Sequence, residues 1–230
     1  QKEQISALIS DISHQTKTPV ANLQLYTQLL LEQPLTPQEA ECARVISAQV
    51  DKLQTLIEAL VKTSRLETGI LVVHPEPAEI AWVVERAVAQ YAAKAAGKGI
   101  ALTVGQADGA AVFDAKWTEE AVCNLLDNAV KYTPAGGMVT VNVKNYELFS
   151  SIQVADTGPG IPPDKQEMVF NRFEKLNENA QGTGLGLSIC QLIIEQLGGS
   201  IWIDPDYEEG SRFLFTHPID KSDQGKEETR

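Results

Sequence analysis

The sequence predicts two domains, an all-α helical hairpin over residues 1–67 and an α/β two-layer sandwich over residues 72–219. In the first part, apolar residues recur at steps of three and four, which is the spacing of one face of a helix. In the second part, short stretches of alternating polarity are interleaved with helical segments, which favours a mixed sheet covered by helices. Residues 68–71 are interpreted as a linker, and the all-polar residues 220–230 as a disordered tail.

The composition narrows the classes of function. A net charge of −12 over 230 residues disfavours a nucleic-acid groove that depends on bulk attraction, although a nucleotide needs only a local cation and backbone N–H groups. No run of about 18 apolar residues exists, so no membrane span is predicted. The chain opens at Gln1 without a Met or a signal peptide, and we interpret it as a piece of a longer protein. Its three widely spaced cysteines indicate reduced thiols rather than disulfides or a metal site.

The first helix is predicted over residues 1–31, and it places a histidine away from its apolar stripe. His14 points roughly 160–200° away from Ile12 and Thr16, so its imidazole is free to react, although an ordinary surface histidine fits the same position. Pro19 removes the backbone hydrogen bond to the Gln15 carbonyl, and it predicts a kink about one turn from His14. The stripe consists of Ile5, Leu8, Ile9, Ile12, Thr16, Pro19, Leu23, Tyr26 and Leu30.

The second helix begins with a capping box. Thr36 is the predicted N-cap, Pro37 occupies the first helical position, and Glu39 follows three residues after the cap. A single hairpin cannot bury an apolar seam on both of its helices, whereas two hairpins packed as a four-helix bundle can. We therefore expect a homodimer through residues 1–67. The seam of the second helix consists of Ala43, Ile46, Val50, Leu53, Ile57, Leu60 and Ser64.

The predicted elements of the sandwich alternate along the chain. The strands are Ile70–His74, Gly99–Val104, Ala111–Phe113, Val139–Asn145, Phe149–Ala155, Ser200–Asp204 and Ser211–Thr216. The helices are Pro77–Ala96, Lys116–Tyr132, Pro162–Phe173 and Leu187–Leu197, with a loop over Asn177–Gly186.

The helix Lys116–Tyr132 carries the first candidate site. Asn124, Asn128 and Lys131 share a polar face, although asparagine is a poor former of helix interiors. A neutral amide oxygen can ligate Mg²⁺ while water and phosphate oxygens complete the octahedron, and Lys131 can meet phosphate charge. Two amides exposed to solvent are the plainer interpretation of the same pattern.

The second candidate site is the turn D-T-G-P-G at residues 156–160. A strand runs into Asp156, which can accept a hydrogen bond from an exocyclic amine such as that of adenine. Gly158 and Gly160 allow the backbone to approach a planar ligand closely. Aspartate and glycine are also ordinary turn residues, so the motif alone is weak.

The third candidate site is the segment Q-G-T-G-L-G-L-S, which opens a helix. Gly182, Gly184 and Gly186 offer free N–H groups for an anion, and they also suit hinges of a loop that folds over a nucleotide. The segment does not follow a strand in a βαβ unit, which disfavours a nicotinamide cofactor. Arg172 and Lys175, shortly before it, can reach a γ-phosphate.

Taken in this order, the motifs resemble those of the catalytic half of a sensor histidine kinase. S-H-Q-T-K-T-P resembles the phospho-acceptor box, N-L-L-D-N-A-V-K-Y the N box, D-T-G-P-G the G1 box, V-F-N-R-F the F box and G-T-G-L-G-L the G2 box. The resemblance spans roughly residues 1–219. It implies a hairpin for dimerisation and phosphotransfer, followed by an ATP-binding domain of the Bergerat or GHKL type, the type shared with gyrase, MutL and heat-shock chaperone ATPases.

The resemblance also implies roles, cofactors and partners. His14 would accept phosphate from ATP and pass it to an aspartate of a response regulator receiver domain. Asn128 would hold Mg²⁺, with Asn124 supporting it, and Asp156 would read adenine. The chain would be the cytoplasmic portion of a bacterial sensor kinase anchored in the membrane by an upstream segment. The nucleotide site would be completed by Lys131, Tyr132, Gly158, Gly160, Arg172, Lys175, Gly182, Thr183, Gly184, Leu185 and Gly186.

One residue departs from the family pattern. The family usually has Glu or Asp directly after the histidine, where it can accept the imidazole Nδ1 proton. Gln15 can orient the ring but cannot take that proton, and Asp11 is the nearest carboxylate by helical spacing. Thr18, four residues after His14, stands where the family's phosphatase function resides. We expect autophosphorylation to be retained. A GHKL-type ATPase, or a nucleotide-binding scaffold without phosphotransfer, remains the alternative function.

Overall fold

The structure is a computed structural model that describes residues 2–67, 73–176 and 182–219, with the backbone alone for residues 2–14. The predicted linker 68–71 and tail 220–230 lie outside this description. Two compact units make up the chain: one holds the two N-terminal helices, and the other holds every further helix and strand of the described residues. None of the described helices is both long enough and apolar enough to cross a bilayer.

The hairpin consists of α1 (Lys2–Leu31) and α2 (Pro37–Glu67). The predicted capping box is confirmed, because the Glu39 carboxylate accepts from the Thr36 N–H at 2.8 Å and from its hydroxyl at 2.7 Å. The Glu39 N–H donates in return to Thr36 Oγ1 at 3.3 Å. Val20 on α1 and Ala43 and Val50 on α2 are buried where the two helices pack.

A stripe of large apolar side chains on the hairpin remains uncovered within one chain. On α1, Leu23, Tyr26 and Leu30 are between 44% and 69% exposed, and they belong to the predicted apolar stripe. On α2, Ile46, Leu53 and Leu60 of the predicted seam are between 44% and 50% exposed. Helix packing inside one chain therefore buries only part of the apolar surface that the helical spacing predicts.

The second unit is the predicted two-layer α/β sandwich. Its strands are β1 (Glu76–Glu79), β2 (Ala101–Val104), β3 (Ala110–Phe113), β4 (Met138–Asn145), β5 (Phe149–Asp156), β6 (Ile201–Ile203) and β7 (Ser211–Pro218). Its helices are α3 (Ala81–Gly97), α4 (Ala115–Tyr132) and α5 (Gly186–Gln196). A five-stranded sheet has the order β2-β4-β5-β7-β6, in which only β2 and β4 are parallel, and β1 pairs with β3 separately.

The core of this unit lies between α4 and the sheet. Every residue of the predicted core face of α4 is buried: Val122, Leu125, Leu126, Ala129 and Val130. Alternate residues of the central strands are buried with them, namely Val139, Val141, Val143, Ile152 and Val154. Apolar residues thus recur with a period of 3.6 on the helix and of 2 on the strands, and both sets are buried in the same core.

Three predicted elements are wrong in position or type. The strand Ile70–His74 is wrong over its described residues, because Val73 and His74 precede a strand that begins at Glu76. The helix predicted from Pro77 begins at Ala81, since Pro77 instead lies on the short strand β1, opposite Val112. Proline suits both the first turn of a helix and an edge strand, and the pairing with β3 decides between them. The helix predicted over 162–173 is replaced by two 3₁₀ turns, Pro163–Lys165 and Met168–Phe170.

Candidate functional site

The polar face of α4 carries two half-buried asparagines. The Asn124 amide donates to the Glu120 carbonyl of its own helix at 3.1 Å, which leaves its oxygen for another partner. A Cβ added at Gly186 would lie 3.5 Å from that oxygen, so the first residue of α5 approaches Asn124. The Asn128 side chain makes no hydrogen bond to any described residue. Its amide is therefore available to a ligand.

The C-terminal end of α4 presents a cation and an aromatic ring. The Lys131 ammonium lies 4.6 Å from the centre of the Tyr132 ring, which is 43% exposed. The Lys98 ammonium donates to the carbonyls of Val130 at 2.9 Å and of Lys131 at 2.6 Å. These bonds satisfy carbonyls that the helix leaves unpaired at its end, and they fix the position of Lys131.

Asp156, at the end of β5, is a buried carboxylate that retains one oxygen for a ligand. Only 5% of the residue is exposed. Its Oδ1 accepts from the backbone N–H groups of Gly158 at 2.8 Å and of Ser211 at 3.3 Å. Burial raises the pKa of this carboxyl, and the two backbone hydrogen bonds partly oppose the rise. Among the described residues, no group bonds to Oδ2, so this oxygen can accept a hydrogen bond from a ligand amine.

Three glycines pack the backbone closely around this carboxylate. A Cβ at Gly158 would lie 2.7 Å from Asp156 Oδ1 and 3.3 Å from the Tyr132 carbonyl oxygen. A Cβ at Gly210 would overlap the Asp156 carbonyl oxygen, and Gly160 adopts a φ of +73°. The turn after β5, the end of α4 and the start of β7 therefore meet at one point.

Sequence reasoning missed Gly210 and Ser211. Both lie 54 or more residues from Asp156 along the chain, and the register of β5 with β7 brings Ser211 directly opposite Asp156. The only local signal is a Gly-Ser pair at the start of a strand of alternating residues. No local pattern says which earlier strand that pair will meet.

The third predicted segment is partly described. Gly182 and Gly184 adopt φ values of +109° and +73°, and Thr183 Oγ1 accepts from the Leu185 N–H at 3.3 Å. Arg172 is exposed and Lys175 is half-buried. Residues 177–181, which form most of the loop predicted to fold over the nucleotide, lie outside the described residues. The phosphate contacts predicted for this segment therefore stay predictions.

The predicted acceptor lies on α1. His14 and Asp11 are within the helical backbone, but their side chains lie outside the described residues. Gln15 and Thr18 are exposed. The roles of these four residues stay predictions.

A magnesium ion is compatible with the donors at α4 only if its ligands come largely from the nucleotide. Within the residues whose side chains are described, 15–67, 73–176 and 182–219, no three His, Cys, Asp or Glu side chains group in a way that would hold a metal. On the polar face of α4, amide oxygens of Asn124 and Asn128 are the neutral oxygen donors left without a hydrogen bond from the described residues. Mg²⁺ is commonly held in this manner, with one or two protein oxygens, phosphate oxygens and water.

Comparison with known proteins assigns both units. Residues 4–69 match the model of the His Kinase A (phospho-acceptor) domain, and residues 113–221 match that of the histidine kinase-, DNA gyrase B- and HSP90-like ATPase. The sensor protein kinase PmrB of Pseudomonas aeruginosa is 32% identical over 203 residues, which cover 87% of this chain and 43% of PmrB. The chain thus spans under half of the length of this relative.

Two solved structures share the architecture. Full-length ShkA in complex with AMPPNP matches with a TM-score of 0.77 and 25% identity, over 92% of this chain and 45% of ShkA. The histidine kinase ThkA, solved in complex with the response regulator protein TrrA, matches with a TM-score of 0.69 and 19% identity, over 96% of this chain and 64% of ThkA. With a phospho-acceptor hairpin followed by an ATP-binding domain of the GHKL type, this chain belongs to the sensor histidine kinases.

Proposed function

We propose that the chain binds ATP with Mg²⁺, transfers the γ-phosphoryl group to His14, and passes it to an aspartate of a response regulator. The observation that carries this proposal is the arrangement at Asp156, where two backbone N–H groups occupy Oδ1 and Oδ2 is left to a ligand. An adenine amine can donate to that oxygen, whereas guanine presents a carbonyl at the equivalent position. The site therefore favours ATP over GTP.

The phosphates lie along the polar face of α4 in this proposal. Asn128 holds Mg²⁺, Asn124 supports it, and Lys131 faces phosphate charge. The ion, when bound, neutralises charge on the phosphate oxygens. Gly182, Gly184 and Gly186 offer backbone N–H groups to the phosphates, and Arg172 and Lys175 add cations.

His14 is the nucleophile of the transfer. A neutral imidazole nitrogen forms a bond to the γ-phosphorus while the bond from that phosphorus to the bridging oxygen breaks, and ADP leaves. Catalysis rests on positioning and on charge neutralisation rather than on strong bases. Gln15 orients the ring by hydrogen bonding, and Asp11, three residues before His14, is the carboxylate that helical spacing favours as the acceptor of its proton. Thr18 takes part in the dephosphorylation of the response regulator.

We also propose the assembly in which this occurs. The exposed stripe on Leu23, Tyr26, Ile46 and Leu53 supports a homodimer through residues 1–67, because a second copy would bury it. A receiver domain docks on the hairpin near His14. A segment upstream of this chain anchors the protein in the membrane.

Labelling with γ-³²P-ATP tests the proposal. The wild-type chain should gain label that is lost in acid and retained in alkali, because the N–P bond of phosphohistidine is labile in acid. His14→Gln should gain none. Release of inorganic phosphate without any labelled chain would support the ATPase alternative, and nucleotide binding without either product would support a scaffold.

A further inference from the structure

Helices α3 and α4 lie side by side, run in the same direction and end at the same level. Four contacts between them join residues that are 33 positions apart along the chain, and they recur every four residues, which is about one helical turn. The contacts are the Arg86–Glu119 ion pair, the Gln90–Cys123 hydrogen bond, the Lys94–Asp127 ion pair and the bond from Lys98 to the Lys131 carbonyl. Because a constant offset requires parallel helices, both C-terminal ends lie together.

The paired ends of the two helices concentrate negative partial charge. The last carbonyls of a helix lack donors within the helix, and the peptide dipoles sum to about half a negative charge there. The ends of α3 at Gly97 and of α4 at Tyr132 therefore carry roughly one negative charge between them. The α4 end lies beside the turn of residues 156–160, since a Cβ at Gly158 would come within 3.3 Å of the Tyr132 carbonyl oxygen. A nucleotide bound at this turn would be repelled by that charge.

Lys98 lies between the two helix ends. It is the C-cap residue of α3, and its ammonium donates to the α4 carbonyls of Val130 at 2.9 Å and Lys131 at 2.6 Å. The backbone beside it is held as well, because Gly99 adopts a φ of +71° and its carbonyl accepts from the Gly136 N–H at 2.8 Å. The fold thus places one full positive charge where the two negative helix ends meet.

We propose that Lys98 promotes nucleotide binding from outside the pocket: its ammonium neutralises the C-terminal ends of α3 and α4, so that phosphates can lie beside them without repulsion. This inference rests on the proposed function, which places the nucleotide along α4. The charge of Lys94, one turn earlier on α3, is cancelled by Asp127, whereas no carboxylate among the described residues pairs with Lys98. Because the Lys98 ammonium is bonded to helix carbonyls, it acts on the nucleotide through its electric field. Its effect should therefore grow with the charge of the ligand and shrink as salt is added.

A series of ligands of different charge separates the field from the hydrogen bonds. Lys98→Gln removes the charge and keeps an N–H donor, while Lys98→Arg keeps both the charge and the donors. At low ionic strength, Lys98→Gln should raise the Kd of MgATP about twofold to fivefold, raise that of MgADP less, and leave that of adenosine unchanged. Lys98→Arg should bind all three as the wild type does. Calorimetry measures the nucleotides and NMR titration measures adenosine, and the loss for MgATP should shrink at high ionic strength.

Autophosphorylation provides a second readout. Lys98→Gln should raise the KM for ATP and leave the rate constant at saturating ATP unchanged, because the lost attraction acts equally on the ground state and the transition state. Lys144→Gln is the matched control, since it removes the same charge from the nucleotide-binding unit. Lys144 lies on β4 opposite Ser151, five residues beyond Val139, the residue that pairs with Asp156. The control should bind MgATP as the wild type does.

Equal losses of affinity for MgATP and adenosine in Lys98→Gln would show that Lys98 only holds the end of α4 in place, and would overturn the inference. A wild-type Kd for MgATP in Lys98→Gln, the same loss in Lys144→Gln, or a weakened Lys98→Arg would overturn it as well. Failure of the wild-type chain to bind MgATP at all would instead overturn the proposed function.

Discussion

The two units of the chain differ in how completely they bury their apolar residues. In the nucleotide-binding unit, Leu125, Leu126 and Ile152 are fully buried, and the helices and sheet close one core. In the hairpin, Val20, Ala43 and Val50 are buried while Leu53 on the same helix as Ala43 remains 44% exposed. The spacing of apolar residues is equally regular in both units.

This difference shows that a regular spacing of apolar residues does not predict whether a single chain can bury them. A sheet and three helices enclose a core by themselves, whereas two helices have only one shared interface. The nucleotide site is therefore built on a unit whose core is closed by one chain. The predicted acceptor, His14, lies on a hairpin whose apolar stripe a second copy would cover. Each of the following predictions probes one side of this contrast.

The sharpest test of the contrast is a pair of identical truncations. Leu125→Ala should lower the free energy of unfolding of the nucleotide-binding unit by about 2–5 kcal/mol, independent of protein concentration, because Leu125 is completely buried. Leu53→Ala should leave the unfolding of that unit unchanged but raise the dimer dissociation constant at least tenfold. Thermal unfolding at two concentrations and sedimentation measure both effects. If Leu53→Ala destabilised the chain without changing its mass in solution, the proposed seam would be wrong.

The closed core also contains a buried histidine, whereas no buried side chain among the described residues of the hairpin titrates. The His217 ring centre lies 5.5 Å from that of Phe113 and 5.4 Å from that of Phe215. Its Nε2 lies 3.0 Å from Thr118 Oγ1, and its Nδ1 has no hydrogen-bond partner among the described residues. Burial lowers the pKa of His217 to about 4.

The unfolded chain binds a proton at His217 near pH 6.5, while the folded chain does not until about pH 4. Stability should therefore fall by roughly 3 kcal/mol as the pH drops from 6.5 to 4, and it should not fall further from this residue below that range. Denaturant unfolding against pH measures the loss. His217→Phe should flatten the curve over this window, and an unchanged slope would show that other groups cause it.

At the site, stability and binding should respond in opposite directions. Asp156→Asn removes the charge that burial disfavours, so Tm should stay the same or rise. The hydrogen bond from adenine to a charged acceptor is lost with it, which should weaken ATP binding between about 10-fold and 150-fold. Calorimetric titration with ATP and with GTP checks this, and equal affinities of the variant and the wild type for ATP would remove Asp156 from the adenine site.

The smallest expected effect concerns the start of α2. Thr36→Ala deletes the hydroxyl that the Glu39 N–H and carboxylate share, and it should cost the hairpin about 1 kcal/mol. Thr36→Ser keeps the hydroxyl and should restore most of this loss. Helix unfolding followed by circular dichroism compares the two variants, and equal loss in both would mean that the methyl group rather than the cap matters.

The features that were predictable from the sequence are local. The core face of α4, the capping box at Thr36 and the carboxylate at the end of β5 each depend on residues within a few positions of one another. Those that were not predictable depend on pairing across the chain. Ser211 reaches Asp156 only through the β5–β7 register, and Pro77 joins a strand only because β3 lies beside it.

The backbone conformation of Phe173, shortly before the loop that begins at residue 177, could not be predicted from the sequence either. Phe173 adopts a φ of +63° and is 58% exposed, although aromatic residues in a V-F-N-R-F run favour a core position. No pattern of residue types predicts a phenylalanine in the left-handed region, because that strained backbone conformation persists only where the surrounding fold imposes it.

Mapping the phosphate directly provides the strictest test of the central claim, that the adenine pocket exists to phosphorylate His14. The wild-type chain is incubated with ATP and Mg²⁺, digested at neutral or alkaline pH, and analysed by mass spectrometry. The account predicts one phosphorylated peptide, which contains His14 and which, at an ATP concentration below the wild-type Kd, forms about 10-fold to 150-fold more slowly in Asp156→Asn. Phosphate on any other residue, or an unmodified His14 peptide from a chain that binds ATP, would contradict it.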